Sequence, residues 1–371
     1  MPGESLDVVV VGAGAAGAAA SWRIASHGLS VLCLEQGEWL DPRQSPSAND
    51  DWELIRQRQW HPNPNVRRNR ADFPIDDSDS PIRPLMFNGV GGSTVMWSCH
   101  MPRFHASDFT MRTDDRVGDD WPIGLADLEP YYALNERMMG VAGVPGNPAY
   151  EKAGEIHRTP ALPLGTVGAR LAHTFDRLGW RWWPADLAVH TGPDADDRRA
   201  CNHCGPCELQ CPRRAKASVD QRYWPPAQRL GAQLRTGARV ARVETDQYNR
   251  VEAVQYLDGN RQMHRVRARA VVLAANGIGT PRLLLMSANA RQPNGLANSS
   301  GLVGRRLMLH PLARVSARFD EPMDGYRGIT AGSFVSHHFY QSDPTRGFLR
   351  GIKLQALRTH GPALVAGGSL G

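Results

Sequence analysis

Three glycines spaced Gly12-x-Gly14-x-x-Gly17, an acid at Glu35 and four cysteines at 201, 204, 207 and 211 are the residues of this chain whose types and spacing carry chemistry. The glycines separate a valine run, Val8 to Val11, from an alanine-rich stretch, and a second apolar run, VLCL, ends in Glu35. Strand, glycine turn, helix, strand and acid in that order form a dinucleotide-binding signature. Gly12 permits the tight turn, Gly14 lets the backbone approach a pyrophosphate, and Gly17 lets helix and strand pack closely, with the anion held at the helix N-terminus. Glu35 stands at about the 20-residue distance expected of a ribose ligand and would accept hydrogen bonds from the ribose hydroxyls. A carboxylate there repels a 2′-phosphate.

The cysteines read C-x2-C-x2-C-x3-C followed by Pro212, the spacing of a bacterial ferredoxin run. Thiolates so spaced let a short loop wrap a cluster. In two-cluster ferredoxins, however, the last cysteine serves the other cluster, and this chain has no second run; Cys33 and Cys99 belong to other segments. A four-iron cluster on all four thiolates, a structural zinc site and a metal-free loop all stay open on spacing alone.

The chain that must position these groups has 371 residues, 41% hydrophobic and 22% charged, enough for a sizeable core and more than one domain. The net charge of +6 comes from 43 basic residues interspersed with 37 acidic ones. Its densest basic pieces, around Arg67 and Arg68 and at Arg213, Arg214 and Lys216, are short, so they read as solvated surface and not as a nucleic-acid footprint. Six cysteines, four of them clustered, do not describe a disulfide scaffold. Only seven residues precede the first strand and no 18-residue apolar segment follows. A cytoplasmic protein without a transmembrane segment is expected, unless a signal-bearing partner carries it elsewhere.

Further elements follow along the chain. Up to about Pro84 the sequence is polar and suggests surface loops with short helical pieces. Gly91, Gly92, Ser93 and Thr94 supply amides and hydroxyls suited to wrapping a phosphate-bearing or planar ligand. Residues 120–143 read as a helix beginning near Asp127, with Leu128, Tyr131, Tyr132 and Leu134 turned to the core. From residue 232 the alternation predicts an antiparallel excursion, with a turn at Asp258-Gly259-Asn260, returning to a buried parallel strand, AVVLAA. Asn276 to Pro281 then open a helix, since proline is favoured in a first helical turn.

Taken together these blocks resemble the glucose-methanol-choline (GMC) family of FAD-dependent oxidoreductases. The resemblance is carried by GAGAAG with Glu35, GVGGSTVMW at 89–97, DWPI with DLEPYY, ARAVVLAANGIGTPRLLLMS at 268–287 and VGRRLMLHP at 303–311, and is nearest to the sugar dehydrogenase and pyranose oxidase branch. It implies a Rossmann-like α/β fold: an FAD-binding domain formed by 1–150 and 199–311, the cysteine loop 201–212 included, and a substrate domain formed by 151–198 and 312–371. It implies oxidation of a CH–OH group of an alcohol or sugar, with hydride passing to the flavin. The implied FAD contacts are Gly12, Gly14, Ala15, Gly17, Glu35, Gly91, Gly92, Ser93, Thr94, Met96, Trp97, Val240, Ala275 and Thr280.

Some relatives attach FAD through a histidine in the GG[ST] block. Here that place reads Val95-Met96-Trp97, so non-covalent FAD is expected, with His100 a remote second candidate for attachment. The family's catalytic histidine lies nearer the carboxyl terminus than this chain reaches, and His310 falls in a block where the resemblance implies a structural or supporting role. The resemblance adds a [3Fe–4S] cluster on three cysteines to the [4Fe–4S], zinc and metal-free alternatives. With a cluster, electrons would pass to an acceptor protein or a small partner subunit. The rival function is a catalytically incomplete FAD or Fe–S electron-transfer module.

Overall fold

The computed structural model describes residues 6–49, 52–54, 60–69, 72, 75–150, 158–194, 198–359, 361 and 363. Among the described residues nine strands are formed: β1 (Leu6–Val11), β2 (Val31–Leu34), β3 (Trp183–Pro184), β4 (Gln233–Arg235), β5 (Arg239–Thr245), β6 (Val251–Leu257), β7 (Met263–Leu273), β8 (Phe334–Phe339) and β9 (Ile352–Gln355). The helices are α1 (Ala15–Ser26), α2 (Pro64–Arg67), α3 (Met111–Asp115), α4 (Leu125–Met139), α5 (Gly165–Leu178), α6 (Val219–Arg222), α7 (Trp224–Arg229) and α8 (Asn276–Met286).

The chain forms two compact units, the first of residues 1–44, 57–96 and 218–317, the second of 45–56, 97–217 and 318–371. Residues 97–150 and the cysteine run thus fall in the second unit, not with the nucleotide-binding part as the sequence suggested. Local bonds explain this: the Trp97 indole donates to Ala217 O at 2.8 Å, and Ser47 Oγ donates to Gln210 O at 3.0 Å.

The first unit is built on a six-stranded sheet in the order β4-β2-β1-β7-β6-β5. β1 lies parallel to β2, Val8 opposite Val31, and parallel strands need a crossover, which α1 supplies. The other side of β1 takes the second half of β7, in register from Leu6↔Ala268 to Val11↔Leu273. The first half of β7 pairs antiparallel with β6, and β6 with β5. One 11-residue strand therefore joins the parallel layer to an antiparallel ribbon, the excursion and return read from the sequence. Val9, Val11, Leu32, Leu34, Val243 and Val254 form the core between them.

α8 departs from expectation at its start. Pro281 is the sixth helical residue, not a first-turn residue, and Asn276, at φ 60°, begins the helix by accepting the amides of Ile278 and Gly279 on Oδ1.

The second unit carries a three-stranded sheet, β3-β8-β9, against which α5 packs through Ala172 and Phe175 onto Phe334. α4 begins at Leu125, with Asp127 Oδ2 accepting the Gly124 amide at 2.8 Å. Its inward face is Ala133, Glu136 and Met139, while Tyr131 is 64% exposed, so the aromatic stripe is not the core face. The reason is electrostatic: Glu136 turns in to meet the guanidinium groups of Arg103 and Arg158, both at 2.7 Å. Two basic pieces also leave the solvated surface assigned to them. Arg67 is buried against Asp72, and Lys216 is 1% exposed, its Nζ donating to Trp97 O at 3.2 Å.

Candidate functional site

The glycine loop after β1 folds as its residues dictate. Gly12 holds φ +100°, and a Cβ on Gly17 would lie 1.8 Å from Gly12 O, so helix and turn approach as only glycine allows. Gly14 is the N-cap of α1; no side chain caps that end and its first turn holds no acid, which leaves the helix amides and the positive end of the dipole unopposed. Ala15 is exposed at this terminus. Against it lies the Gly91-Gly92 turn, close enough that a Cβ on Gly92 would sit 2.7 Å from Gly14 Cα.

Between these turns the Ala13 peptide is held on both sides. Its N–H donates to Glu35 Oε2 at 2.8 Å, and its carbonyl accepts from Gly91 N and from the indole of the wholly buried Trp224, each at 3.0 Å. Glu35 Oε1 accepts the Gly37 amide at 2.9 Å. Burial pushes the Glu35 carboxyl above the usual carboxylate range, against the pull of the Ala13 and Gly37 amides. Each carboxylate oxygen has a second lone pair, so a ribose hydroxyl can still be accepted. The loop thus fits an adenosine pyrophosphate: exposed helix amides for the anion, a positioned carboxylate for the sugar, and a glycine cradle with no side chain in it.

The other expected contacts are distributed around this loop with different roles. Ser93 is exposed, but Thr94 is buried, its hydroxyl donating to Gly91 O at 2.6 Å and accepting from Val219 N at 3.1 Å. It shapes the turn instead of offering a free hydroxyl. Thr280 Oγ1 accepts the Ala275 amide at 3.1 Å, and the Val240 side chain is part of the core. Met96 is half-buried at the end of the Gly92–Val95 turn. Trp97 belongs to the second unit. His310 is exposed in a stretch without helix or strand that also exposes Met308 to 89%. The residues missed by sequence reading are Trp224 and the Ala13 peptide. Trp224 gave no signal beyond an aromatic beside two prolines.

The four cysteines line one narrow cavity of about 20 Å3 together with Arg213 and Lys216. Burial pushes Cys204 up to about 11 and Cys207 up to about 12, and mutual repulsion adds to it. The donor set suits a soft metal. The arrangement does not match it, because among the described residues no three His, Cys, Asp or Glu side chains are grouped to hold a metal ion.

The fold and the loop define an FAD-binding α/β chain of the Rossmann type, and residues 7–41 match the FAD binding domain. Residues 185–312 match the GMC oxidoreductase model, and the chain belongs to that family. It is 38% identical over 371 residues to 2-methyl-1,2-propanediol dehydrogenase of Mycolicibacterium austroafricanum, covering 99% of this chain and 66% of that protein. It is 33% identical to the fructose dehydrogenase large subunit of Gluconobacter japonicus, over 86% of this chain and 61% of that one. With paromamine 6'-oxidase of Streptomyces fradiae the identity is 35%, over 85% and 56%. The chain therefore spans less than two thirds of the length of these relatives. No helix among the described residues is long and apolar enough to cross a membrane.

Proposed function

We propose that the chain binds FAD non-covalently and takes part in oxidising a CH–OH group of an alcohol or sugar. The observation that carries this reading is the Ala13 peptide, fixed by Glu35 on one side and by Trp224 and Gly91 on the other, beside an uncapped helix end. In this reading Gly14, Ala15 and the first amides of α1 hold the pyrophosphate, Glu35 holds the ribose, and Gly91, Gly92, Ser93, Met96, Ala275 and Thr280 face the cofactor. FAD, when bound, supplies the two-electron acceptor. The second unit, which contains most of the 151–198 and 312–371 stretches, is assigned to the substrate. His310 is not assigned the role of base.

Three relatives bear the names of 2-methyl-1,2-propanediol dehydrogenase, fructose dehydrogenase large subunit and paromamine 6'-oxidase, which supports hydroxyl-bearing substrates. The name "large subunit" supports a partner subunit, and its role as the electron acceptor is part of the proposal. Six free cysteines support a cytoplasmic location, which cell fractionation tests. The deciding experiment is the visible spectrum of the purified chain, followed by anaerobic addition of 1,2-propanediol or a sugar. Retained flavin that bleaches supports oxidation. Retained flavin that no alcohol or sugar bleaches favours the electron-transfer module instead, and a folded chain that holds no flavin overturns both.

A second reading concerns the cysteine run, supported by four thiols on one cavity beside the buried Lys216. It takes a [3Fe–4S] or [4Fe–4S] cluster, with zinc as the rival, against the ungrouped arrangement of the thiols in the structure. Anaerobic preparation then gives iron with acid-labile sulfide, and Cys204→Ser removes its paramagnetic signal while FAD stays bound. One equivalent of zinc without sulfide makes the site structural. A sample with neither metal ends this reading.

A further inference from the structure

Within the second unit the segment that holds the four cysteines is a loop tied at its base. Arg199 N–H donates to Arg213 O at 3.0 Å, and Arg213 Nε donates to Ala200 O at 3.0 Å. Cys201 and Cys211 each stand two residues inside this tie, at opposite ends of the same loop. The Cys201 amide is fixed on His190 O at 3.0 Å, and the Cys211 carbonyl accepts from Arg214 N at 2.9 Å. Gln210, just before Cys211, holds φ 74°, a positive value that a non-glycine residue keeps only where its surroundings impose it. Ser47 Oγ, on the Gln210 carbonyl at 3.0 Å, is one such restraint. The outer part of the loop is held as well: Gly328 N donates to His203 O at 3.0 Å, and Arg358 Nη2 to Glu208 Oε1 at 2.7 Å.

All four thiols line one cavity of about 20 Å3, which has room for about one water and not for a guest of several atoms. A structural metal ion needs four donors converging on one point, and among the described residues not even three are so grouped. A disulfide needs only two, with Cα atoms about 4.4–6.8 Å apart, the spacing of chain segments bonded side by side. Cys204 and Cys207 belong to the far part of the loop, and Cys204 is exposed. The pair at the base is the one that the fold holds together.

We propose that Cys201 and Cys211 form a reversible disulfide, which makes the cysteine loop a thiol–disulfide switch that withdraws two donors from any metal. The oxidant is a small-molecule disulfide such as oxidised glutathione. Cys201 Sγ, half-buried and so reachable, loses its proton to water and attacks the oxidant, releasing one thiolate. Cys211 Sγ then loses its proton and attacks the Cys201 sulfur, releasing the second. Two thiols become one S–S bond, and two electrons and two protons pass to glutathione.

The test uses the full purified chain, stripped of metal by a chelator and equilibrated at a series of oxidised to reduced glutathione ratios. Free thiols are alkylated, and the chain is cleaved without reduction after Arg199, Glu208 and Arg213. Cleavage after Glu208 parts Cys211 from the other three cysteines of the run, so a bond to Cys211 keeps two fragments joined in the mass spectrum. The expected product is the joined pair, two hydrogens lighter, with Cys204 and Cys207 alkylated and Cys201 not. Reduced glutathione should return it to four alkylated cysteines, and Cys204→Ser should leave its yield unchanged. Four alkylated cysteines at every ratio, Cys211 joined to Cys204 or Cys207, or glutathione adducts without joined fragments would overturn the switch. Iron or zinc bound by a chain that forms no disulfide sinks this inference and spares the metal reading. A disulfide in a chain that takes up neither metal does the reverse.

Discussion

At residue scale the chain concentrates its constraint on one peptide. The sequence reads Glu35 as a candidate ribose ligand, and the structure gives it another task, holding the Ala13 amide and thereby the glycine turn. Glu35→Ala removes the sugar's acceptor and leaves the Ala13 and Gly37 amides buried without partners, each costing about 1–3 kcal/mol. Titration of the apoprotein should show FAD affinity reduced by at least about tenfold. Unchanged affinity would refute both roles. Met96 makes the complementary case, because its thioether cannot form the histidyl bond seen in some relatives. Acid precipitation should release the flavin into the supernatant, and flavin that stays with the pellet would overturn the non-covalent reading.

At the scale of elements the decisive pairing is that of α4 with the chain around it. Glu136 is buried between Arg103 and Arg158, and Arg158 reaches on to Asp186 at 2.8 Å. Burial alone would push the Glu136 carboxyl up, but the two guanidinium groups overrule it and hold it below the ordinary range. At Asp186 burial wins, and its pKa rises. Glu136→Ala removes the carboxylate that Arg103 and Arg158 share, leaving Arg158 its bond to Asp186, and should cost about 3–5 kcal/mol in denaturant unfolding. Glu136→Gln isolates the charge. Because the folded carboxyl is depressed, its contribution is present above the unfolded carboxylate value and lost as pH falls through the folded one. The stability gap between wild type and Glu136→Gln should therefore be widest near neutrality and close in acid. A gap independent of pH would assign Glu136 a packing role only.

At the scale of the whole molecule the two compact units divide the chain discontinuously, each assembled from three segments. β7 shows how: residues 263–267 serve an antiparallel ribbon and 268–273 a parallel layer, so residues far apart in the chain become neighbours of the glycine loop. α6 and α7, Val219–Arg222 and Trp224–Arg229, reach that loop from more than 120 residues away.

The amino-acid sequence by itself determined the β1-turn-α1-β2 unit with Glu35, the return of β7 to the parallel sheet, and the clustering of four cysteines. Each of these is encoded by neighbours in the chain: valine alternation, glycines at fixed offsets, a repeated cysteine spacing. Only the tertiary structure decided which charges leave water. Arg67, Lys216 and Glu136 have the composition of surface residues and are buried, because their partners Asp72, the Trp97 carbonyl and Arg103 are brought to them by folding. The same holds for Trp224 on the Ala13 carbonyl, 211 residues away, and for Lys353 opposite His337 and His338 across a bulge. A long-range contact is set by loop closure and strand register, and neither leaves a local pattern for the sequence to display.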